Sequence, residues 1–414
     1  MRLRNFVLRK AGVPIRWAQY RRTRLPLSPL VAPVEPQPPF GHFSDIVVVP
    51  QKNAYRSHLP GLENALCSGP VYPATGVEPW MRHCMANHVA DVPPGPPYGP
   101  ILRMDRPCIW LGYMQMHFGH LIAEHLTRAL WARVQRPDDL YLFVMPPGVP
   151  VSYLLRDLFA WYGLPPSQMR QITAPVLAKE LRVYPQAELF LGKGPSGQYL
   201  DLLDRHVAAS GLLARPARTV FVTRHGMLQR STGSHAAEGY LVELLRRLGV
   251  TVLDPASQTI GQQLAVYAGA ERLIFSEGSA LHGRQLLGRI DQDIVVLNRR
   301  PGSRMAENVI APRCRSLQYV EATAAIATPR HPEWGGEEWN LGLSIYDIVA
   351  LHEVLRSLGL DIGPIWDHDA YAQALDADAA IWVNRLVGAG RGYDGATLAG
   401  LAQNAIKTAK QGGT

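Results

Sequence analysis

Between His117 and His125 the chain reads HFGHLIAEH, three histidines and one carboxylate in a single short run. Gly119 follows an apolar strand pattern and opens a helical one. His120 therefore falls near a helix N-terminus, with Glu124 one turn deeper on the same face. Three chemistries fit those residue types. A carboxylate buried in a cleft has its pKa pushed towards the working pH and can take a proton from a hydroxyl. A histidine cap with a Glu124–Arg128 pair on a helix face would be purely structural. A zinc set from His117, His120, Glu124 and His125 lacks the paired histidines four apart around a glutamate that mark metalloproteases. A second group of residues suits phosphate oxygens. Arg224 and Arg230 carry planar guanidinium forks that donate two hydrogen bonds at once and never lose their charge. Gly278-Ser279-Ala280 leads into a helical pattern over 281–287, offering free backbone N–H groups at a positive dipole end. His282, in that helix's first turn, could donate as well. Lys179 and Lys193 read as surface lysines.

The elements that must hold these residues alternate between strand and helix. From 218 to 299, short β-branched runs (Thr219–Thr223, Val250–Leu253, Leu273–Phe275, Ile294–Leu297) are separated by helix-length segments or tight turns. That alternation predicts βαβ units and a parallel sheet, with ligands outside the strands' carboxyl ends. Those ends carry Thr223-Arg224-His225, Asp254-Pro255 and Ser276-Glu277-Gly278-Ser279. The first half predicts another α/β unit. Its strands are 45–50, 108–113, 140–145, 171–174 and 181–184, and its helices include 152–161 and 199–211. Residues 51–100, rich in Gly, Pro and His, read as loops or short hairpins, and His58, His83 and His88 as scattered surface histidines. Past Arg299 the pattern weakens; 319–336 reads as loop, and amphipathic helices follow at 343–359, 371–388 and 396–410. The expected division is a basic arm and Pro-rich linker at 1–40, an α/β domain at 41–212, a second at 213–325 and a helical segment at 326–414.

This order of elements resembles glycosyltransferase family 61. The family pattern has a strand ending in Ser-Arg or Thr-Arg, a second Arg, an acidic helix start, a strand ending near Pro, a Ser/Gln-bearing helix, and a strand running into a small-residue turn. Here these are Thr223-Arg224, Arg230, Glu238, Asp254-Pro255, Ser257 with Gln262 and Gln263, and Gly278-Ser279-Ala280-Leu281. One departure is plain. Glu277 stands where the family often has the His of His-Gly-Ala, and a His follows only at 282. An anion at that place repels a pyrophosphate unless it is paired or turned away. The resemblance implies two Rossmann-like domains facing a cleft (GT-B type) with a C-terminal helical portion. It further implies inverting transfer of a sugar from a nucleotide-sugar donor, a co-substrate rather than a cofactor, to a polysaccharide or other glycan acceptor. His120 and Glu124 match the family's His-x-x-x-Asp/Glu element, with Glu124 as general base. Arg224, Arg230, Gly278, Ser279, Ala280 and His282 become donor-binding residues. Asp291-Gln292-Asp293 has the spacing of a metal-binding Asp-x-Asp but sits in a turn before a strand, away from the strand exits, so no metal is expected. Two rivals stay open: a polysaccharide pyruvyl transferase-like enzyme, because Ala280-Leu281-His282-Gly283 has a faint likeness to that group, and a non-catalytic nucleotide- or glycan-binding protein.

Composition narrows the setting. With 414 residues, 47% hydrophobic and 18% charged, the chain is an ordinary globular protein long enough for two cores. Four cysteines without CxxC spacing suit reduced thiols in a cytosol. The net charge of +8 lies wholly in residues 1–34, which hold eight basic residues and no acid. Interleaved Phe6, Val7, Val13, Ile15, Trp17 and Tyr20 suit an anionic membrane surface; a solvated leader is the equal alternative. No apolar run reaches the roughly 20 residues of a spanning helix. Nucleic acid is not expected as a partner, since no RNA-binding motif accompanies the arm. The expected setting is the cytoplasm, with a peripheral contact at the inner membrane and a role in capsular or related surface polysaccharide.

Overall fold

The computed structural model describes residues 24–51, 67–85, 88–93, 95–96, 98–230 and 232–412. Most of the basic arm, residues 1–23, lies outside them, as does His58. The chain is mixed α/β, as its pattern predicts, and divides into two compact units. The first holds the described residues up to Leu212 with Gln285–Arg289 and Asn308–Arg313; the second holds Leu213–Arg284, Ile290–Glu307 and 314–412.

In the first unit a mixed sheet runs in the order β2 (Gly69–Pro70), β1 (Gly41–Val49), β9 (Val176–Val183), β6 (Cys108–Tyr113), β7 (Leu140–Val144), β8 (Met169–Gln171). β5 (Leu102–Met104) also pairs with β9, and β3 (Cys84–Met85) forms a small hairpin with β4 (His88–Val89). β6, β7, β8 and β9 are parallel, and β1 joins β9 antiparallel. CIWLGY and LYLFV are apolar without alternation because strands covered on both faces bury every side chain, and all but Tyr113 are buried. The Pro-rich stretch after Arg24 lies on this unit as extended chain: Ser28 N–H donates to Ala160 O, and Val34 is buried.

The second unit carries a wholly parallel sheet in the order β12 (Thr251–Leu253), β10 (Ala217–Val222), β13 (Ala270–Ser276), β14 (Asp293–Leu297), β15 (Ser316–Val320). The chain leaves β10 to one side for β12, then crosses to the other side for β13. That reversal makes the β10/β13 boundary a topological switch point, where α/β sheets open a crevice for ligands. The helix Glu238–Arg247 follows β10, and Ile260–Gly269, opened by a Thr259–Gln262 capping box, follows β12.

Two expectations fail past Arg299. The stretch 319–336 is not merely loop: it takes in the end of β15 and all of β16 (Thr323–Ala327). The apolar run from Leu343 is not one helix either. LSIY forms β17 (Leu343–Tyr346), which pairs with β16 and with β11 (Ser234–His235), and the helix Ile348–Ser357 starts only after Asp347. Asp347 caps it by accepting from Ala350 N–H, and that short polar residue inside an apolar run is the signal that divides strand from helix. The C-terminal portion is therefore a three-stranded sheet with the helices Ile348–Ser357, His368–Gly388 and Gly395–Gly412. No described helix is long and apolar enough to cross a membrane.

Candidate active site

In the first unit the chemistry-bearing run leaves β6 through a bulge at Trp110–Gly112. It makes one α-turn, Phe118–His120, and then a π-turn, Leu121–His125. The wider turn is closed by Leu126 N–H donating to Leu121 O at 3.0 Å. Such π-turns are frequent at functional sites, where they re-aim side chains that an α-helix would splay. Here the turn aims Glu124 at His120 and His125 away from it. His120 Nδ1 meets Glu124 Oε2 at 2.8 Å; Glu124 is 1% exposed and the His120 side chain 28%. The structural alternative, a pairing of Glu124 with Arg128 on an exposed helix face, does not fit, since both residues are buried. Arg128 instead reaches Gln186 Oε1 and Arg82 O, and Gln186 Nε2 donates to Glu124 O at 2.7 Å.

His83 is a correction to the sequence reading. Its ring is not on the surface but fully buried, stacked on His125 with Nε2 and Nδ1 3.0 Å apart. Burial holds both imidazoles neutral, His125 down to about 3 with help from His120, His83 in the same direction with help from Arg128. His83 N–H donates to buried Asp91, whose pKa burial pushes up to about 7 against that hydrogen bond. Nothing in the spacing of His83 or Gln186 could have pointed here, because both reach the π-turn from distant chain. His88 is exposed, and His117 lies beside His120, ring centroids 4.8 Å apart. Among the described residues no cluster of His, Cys, Asp and Glu has metal-binding geometry.

In the second unit the residues after β10 and β13 meet at the switch point. Arg224 is buried, its Nε and Nη2 donating to Gly233 O at 3.2 and 2.7 Å. Its backbone N–H donates to Glu238 Oε1 at 3.0 Å. Burial raises Glu238 to about 7, opposed by that backbone hydrogen bond. Arg224 packs directly on Gly278, where a Cβ would collide with Nη1 and force the guanidinium to shift. Beyond it Ser279–Leu286 forms a 3-10 helix rather than the expected α-helix, with Leu281 N–H bonded back to Gly278 O. Ser279 is half-buried, and Ala280 and His282 are buried.

Glu277 is both paired and turned in. It accepts from the backbone N–H groups of Arg299 and Arg300, from the Arg300 guanidinium and from Ser303 Oγ. Burial alone would raise its pKa, but Arg300 and these hydrogen bonds hold it below the usual 4.5. Arg299, 4% exposed, is depressed to about 9, first by burial and then by Arg224. Two further arginines thus join Arg224 at the strand exits, and the sequence reading singled out neither. Arg230 is not brought in: it is exposed and reaches only Ala256 O, at 3.4 Å. Asp291 and Asp293 pair with Arg315 at the start of β14, the opposite end from Gly278. Lys179 and Lys193 are exposed.

Residues 118–284 match the family model described as Glycosyltransferase 61, a span that runs from the α-turn after β6 into the 3-10 helix after β13. No curated protein matches the chain. The segment that carries both His120–Glu124 and Arg224–Gly278 is thus the part of the chain that is similar to glycosyltransferase family 61, a family whose members act on a donor and an acceptor substrate.

Proposed function

We propose that the chain is an inverting, metal-independent glycosyltransferase of GT-B type that takes a sugar from a nucleotide diphosphate donor and builds a capsular or related surface polysaccharide. The observation that carries the reading is the switch point. Arg224 lies against Gly278 where β10 and β13 diverge, with Arg299 and Arg300 beside them and the 3-10 helix opening there. A cationic crevice of that kind matches the diphosphate, which gains one negative charge as it leaves. Arginines then do the work that a divalent metal does elsewhere.

The first unit supplies the proton acceptor. Glu124, at 1% exposure, is too enclosed to meet a hydroxyl itself, whereas His120 is partly exposed. Glu124 holds His120 Nδ1, which leaves Nε2 as the ring nitrogen that takes the acceptor's proton. The carboxylate orients the ring and stabilises the imidazolium, as in other His–carboxylate pairs. As that proton leaves, the acceptor oxygen bonds to the anomeric carbon from the face opposite the donor, and the bond from that carbon to the phosphate oxygen breaks. The residues 1–34 would hold the enzyme to the anionic cytoplasmic face of the inner membrane.

Nucleoside diphosphate release from nucleotide sugars tests this. It should persist in EDTA, and His120→Gln and Glu124→Gln should each lower turnover by about two to four orders of magnitude while nucleoside diphosphate binding stays. Wild-type turnover in both variants removes the pair from the mechanism. A fold that no nucleoside diphosphate stabilises against heat would sink the donor assignment.

A further inference from the structure

Gln186 stands three residues past the end of β9, the strand that runs parallel beside β6. Its carboxamide therefore emerges at the same end of the sheet as the π-turn. The residue is 8% exposed, and each of its side-chain polar groups is engaged. Oε1 accepts from Cys84 N–H at 2.8 Å and, at the long distance of 3.5 Å, from Arg128 Nη2. Nε2 donates to Cys84 O at 2.9 Å and to Glu124 O at 2.7 Å. Those partners account for both hydrogens and both lone pairs of a primary amide, so the group has one orientation. We infer that Gln186 is the positioning residue of the His120–Glu124 pair: it fixes the main chain of Glu124 so that the carboxylate stays on His120 Nδ1.

The helical ladder is interrupted where Gln186 enters. The π-turn ends at His125, and the next helix begins only at Ala129. At that interruption Glu124 O accepts from two side chains, Thr127 Oγ1 at 3.0 Å and Gln186 Nε2. A side chain that enters a helical ladder sets the local course of the backbone. Thr127 turns with its own segment, whereas Gln186, 62 residues away in sequence, ties that segment to the sheet. Its other partner, Cys84, lies in β3 and follows His83, whose ring stacks on His125. Glu124 is thus held by its carbonyl and His125 by its ring.

With its main chain fixed, Glu124 keeps only side-chain rotation, and its carboxylate meets His120 Nδ1 at 2.8 Å. A carboxylate there keeps that nitrogen's proton in place and leaves Nε2 to take another. A misplacement of about 1 Å, remote from the chemistry, is enough to lower turnover about a hundredfold. Glutamate at position 186 would have the length but nothing to donate; asparagine would have the amide but not the reach.

The effect on turnover rests on the glycosyltransferase reading, whereas the hold on the His120 ring does not, and the two are measured apart. In nucleoside diphosphate release from nucleotide sugars, Gln186→Leu and Gln186→Glu should each lower turnover about a hundredfold, with the half-saturating donor concentration unchanged. Gln186→Glu, which keeps the length and sets a carboxylate beside Arg128, should melt closer to wild type than Gln186→Leu and yet be as slow. Because Gln186 acts through Glu124, adding Gln186→Leu to Glu124→Gln should cost little more turnover than Glu124→Gln alone; independent damage would multiply. Long-range proton–nitrogen NMR spectra of the neutral imidazoles should show one tautomer of His120, with the proton on Nδ1, in wild type and a mixture in Gln186→Leu. Turnover within about threefold of wild type in both single variants, losses that multiply in the double variant, or an unchanged His120 tautomer in Gln186→Leu would each overturn the assignment. If wild type releases nucleoside diphosphate from no nucleotide sugar, the transferase reading falls, and the tautomer comparison alone decides the role of Gln186.

Discussion

A lone carboxylate at position 277 would repel a diphosphate; Glu277 does not stand alone. Its five accepted hydrogen bonds come from Arg299, Arg300 and Ser303, and they turn an apparent mismatch in the family pattern into the anchor of a cationic cluster. Nothing adjacent in sequence could have shown it, because Arg299 and Arg300 lie a whole βαβ connection downstream. Glu277→Gln leaves two buried backbone donors half satisfied and a guanidinium without its counter-charge. Breaking a buried pair costs about 3–5 kcal/mol; with Arg300 36% exposed to water, about 2–3 kcal/mol is expected at pH 7. The pH dependence has a definite sign. The folded-state pKa lies below the unfolded value near 4.5, so the stabilising contribution is complete above pH 4.5 and is lost as pH falls through the folded value. Urea unfolding of wild type and variant should therefore show a gap that is constant from about pH 6 to 8 and closes below about pH 4. A gap that stayed open in acid would mean that shape, not charge, holds the cluster.

At the scale of elements, the bulge in β6 and the π-turn after it form one device. Gly112 has φ +114°, a conformation other residues adopt only under strain, and a Cβ on it would overlap the His83 ring. Gly112→Ala should thus cost about 2–4 kcal/mol and displace His83 from His125. The loss is to be read from urea unfolding and from the imidazole NMR signals of the two histidines, and a cost under about 0.5 kcal/mol would show that the bulge merely tolerates glycine. β6 itself was legible to the residue, because a six-residue apolar run bounded by Pro107 and a polar stretch has few alternatives. Of the second unit's strands, β10, β12, β13 and β14 were legible for the same reason, as was the clustering of polar residues at their exits, whereas β15 and β16 were not. The π-turn was not, since HLIAEHL satisfies α-helical periodicity as well, and only packing against His83 and Gln186 selects the wider turn. The 3-10 geometry of Ser279–Leu286 and the strand in LSIY were hidden likewise: both are short apolar stretches whose form tertiary contacts decide.

For the whole molecule, the division of the chain is not a single cut. The first unit takes back two short segments, Gln285–Arg289 and Asn308–Arg313, after the chain has entered the second. Their side chains are built into it. Asn308 Nδ2 donates to Leu189 O and Gly192 O, each at 2.9 Å, and Arg289 reaches Asp201 and Asp204. Above all, Arg313 pairs with Glu188 at 2.8 Å with side-chain exposures of 0% and 2%. Burial raises the Glu188 pKa, and Arg313 is the first of the influences that oppose this. A fragment of residues 1–212 keeps the whole seven-stranded sheet but leaves Glu188 as a buried carboxylate without its cation. That alone costs about 3–5 kcal/mol, a large share of the roughly 5–15 kcal/mol that stabilises a domain. The fragment should melt without a sharp transition, or at least about 10 °C below the full chain by circular dichroism. Glu188→Gln should recover part of the loss in the fragment while destabilising the full chain, an inversion that only an uncompensated charge predicts. A fragment that melts as cooperatively as the full chain, indifferent to Glu188→Gln, would show that the returning segments decorate the first unit without completing it.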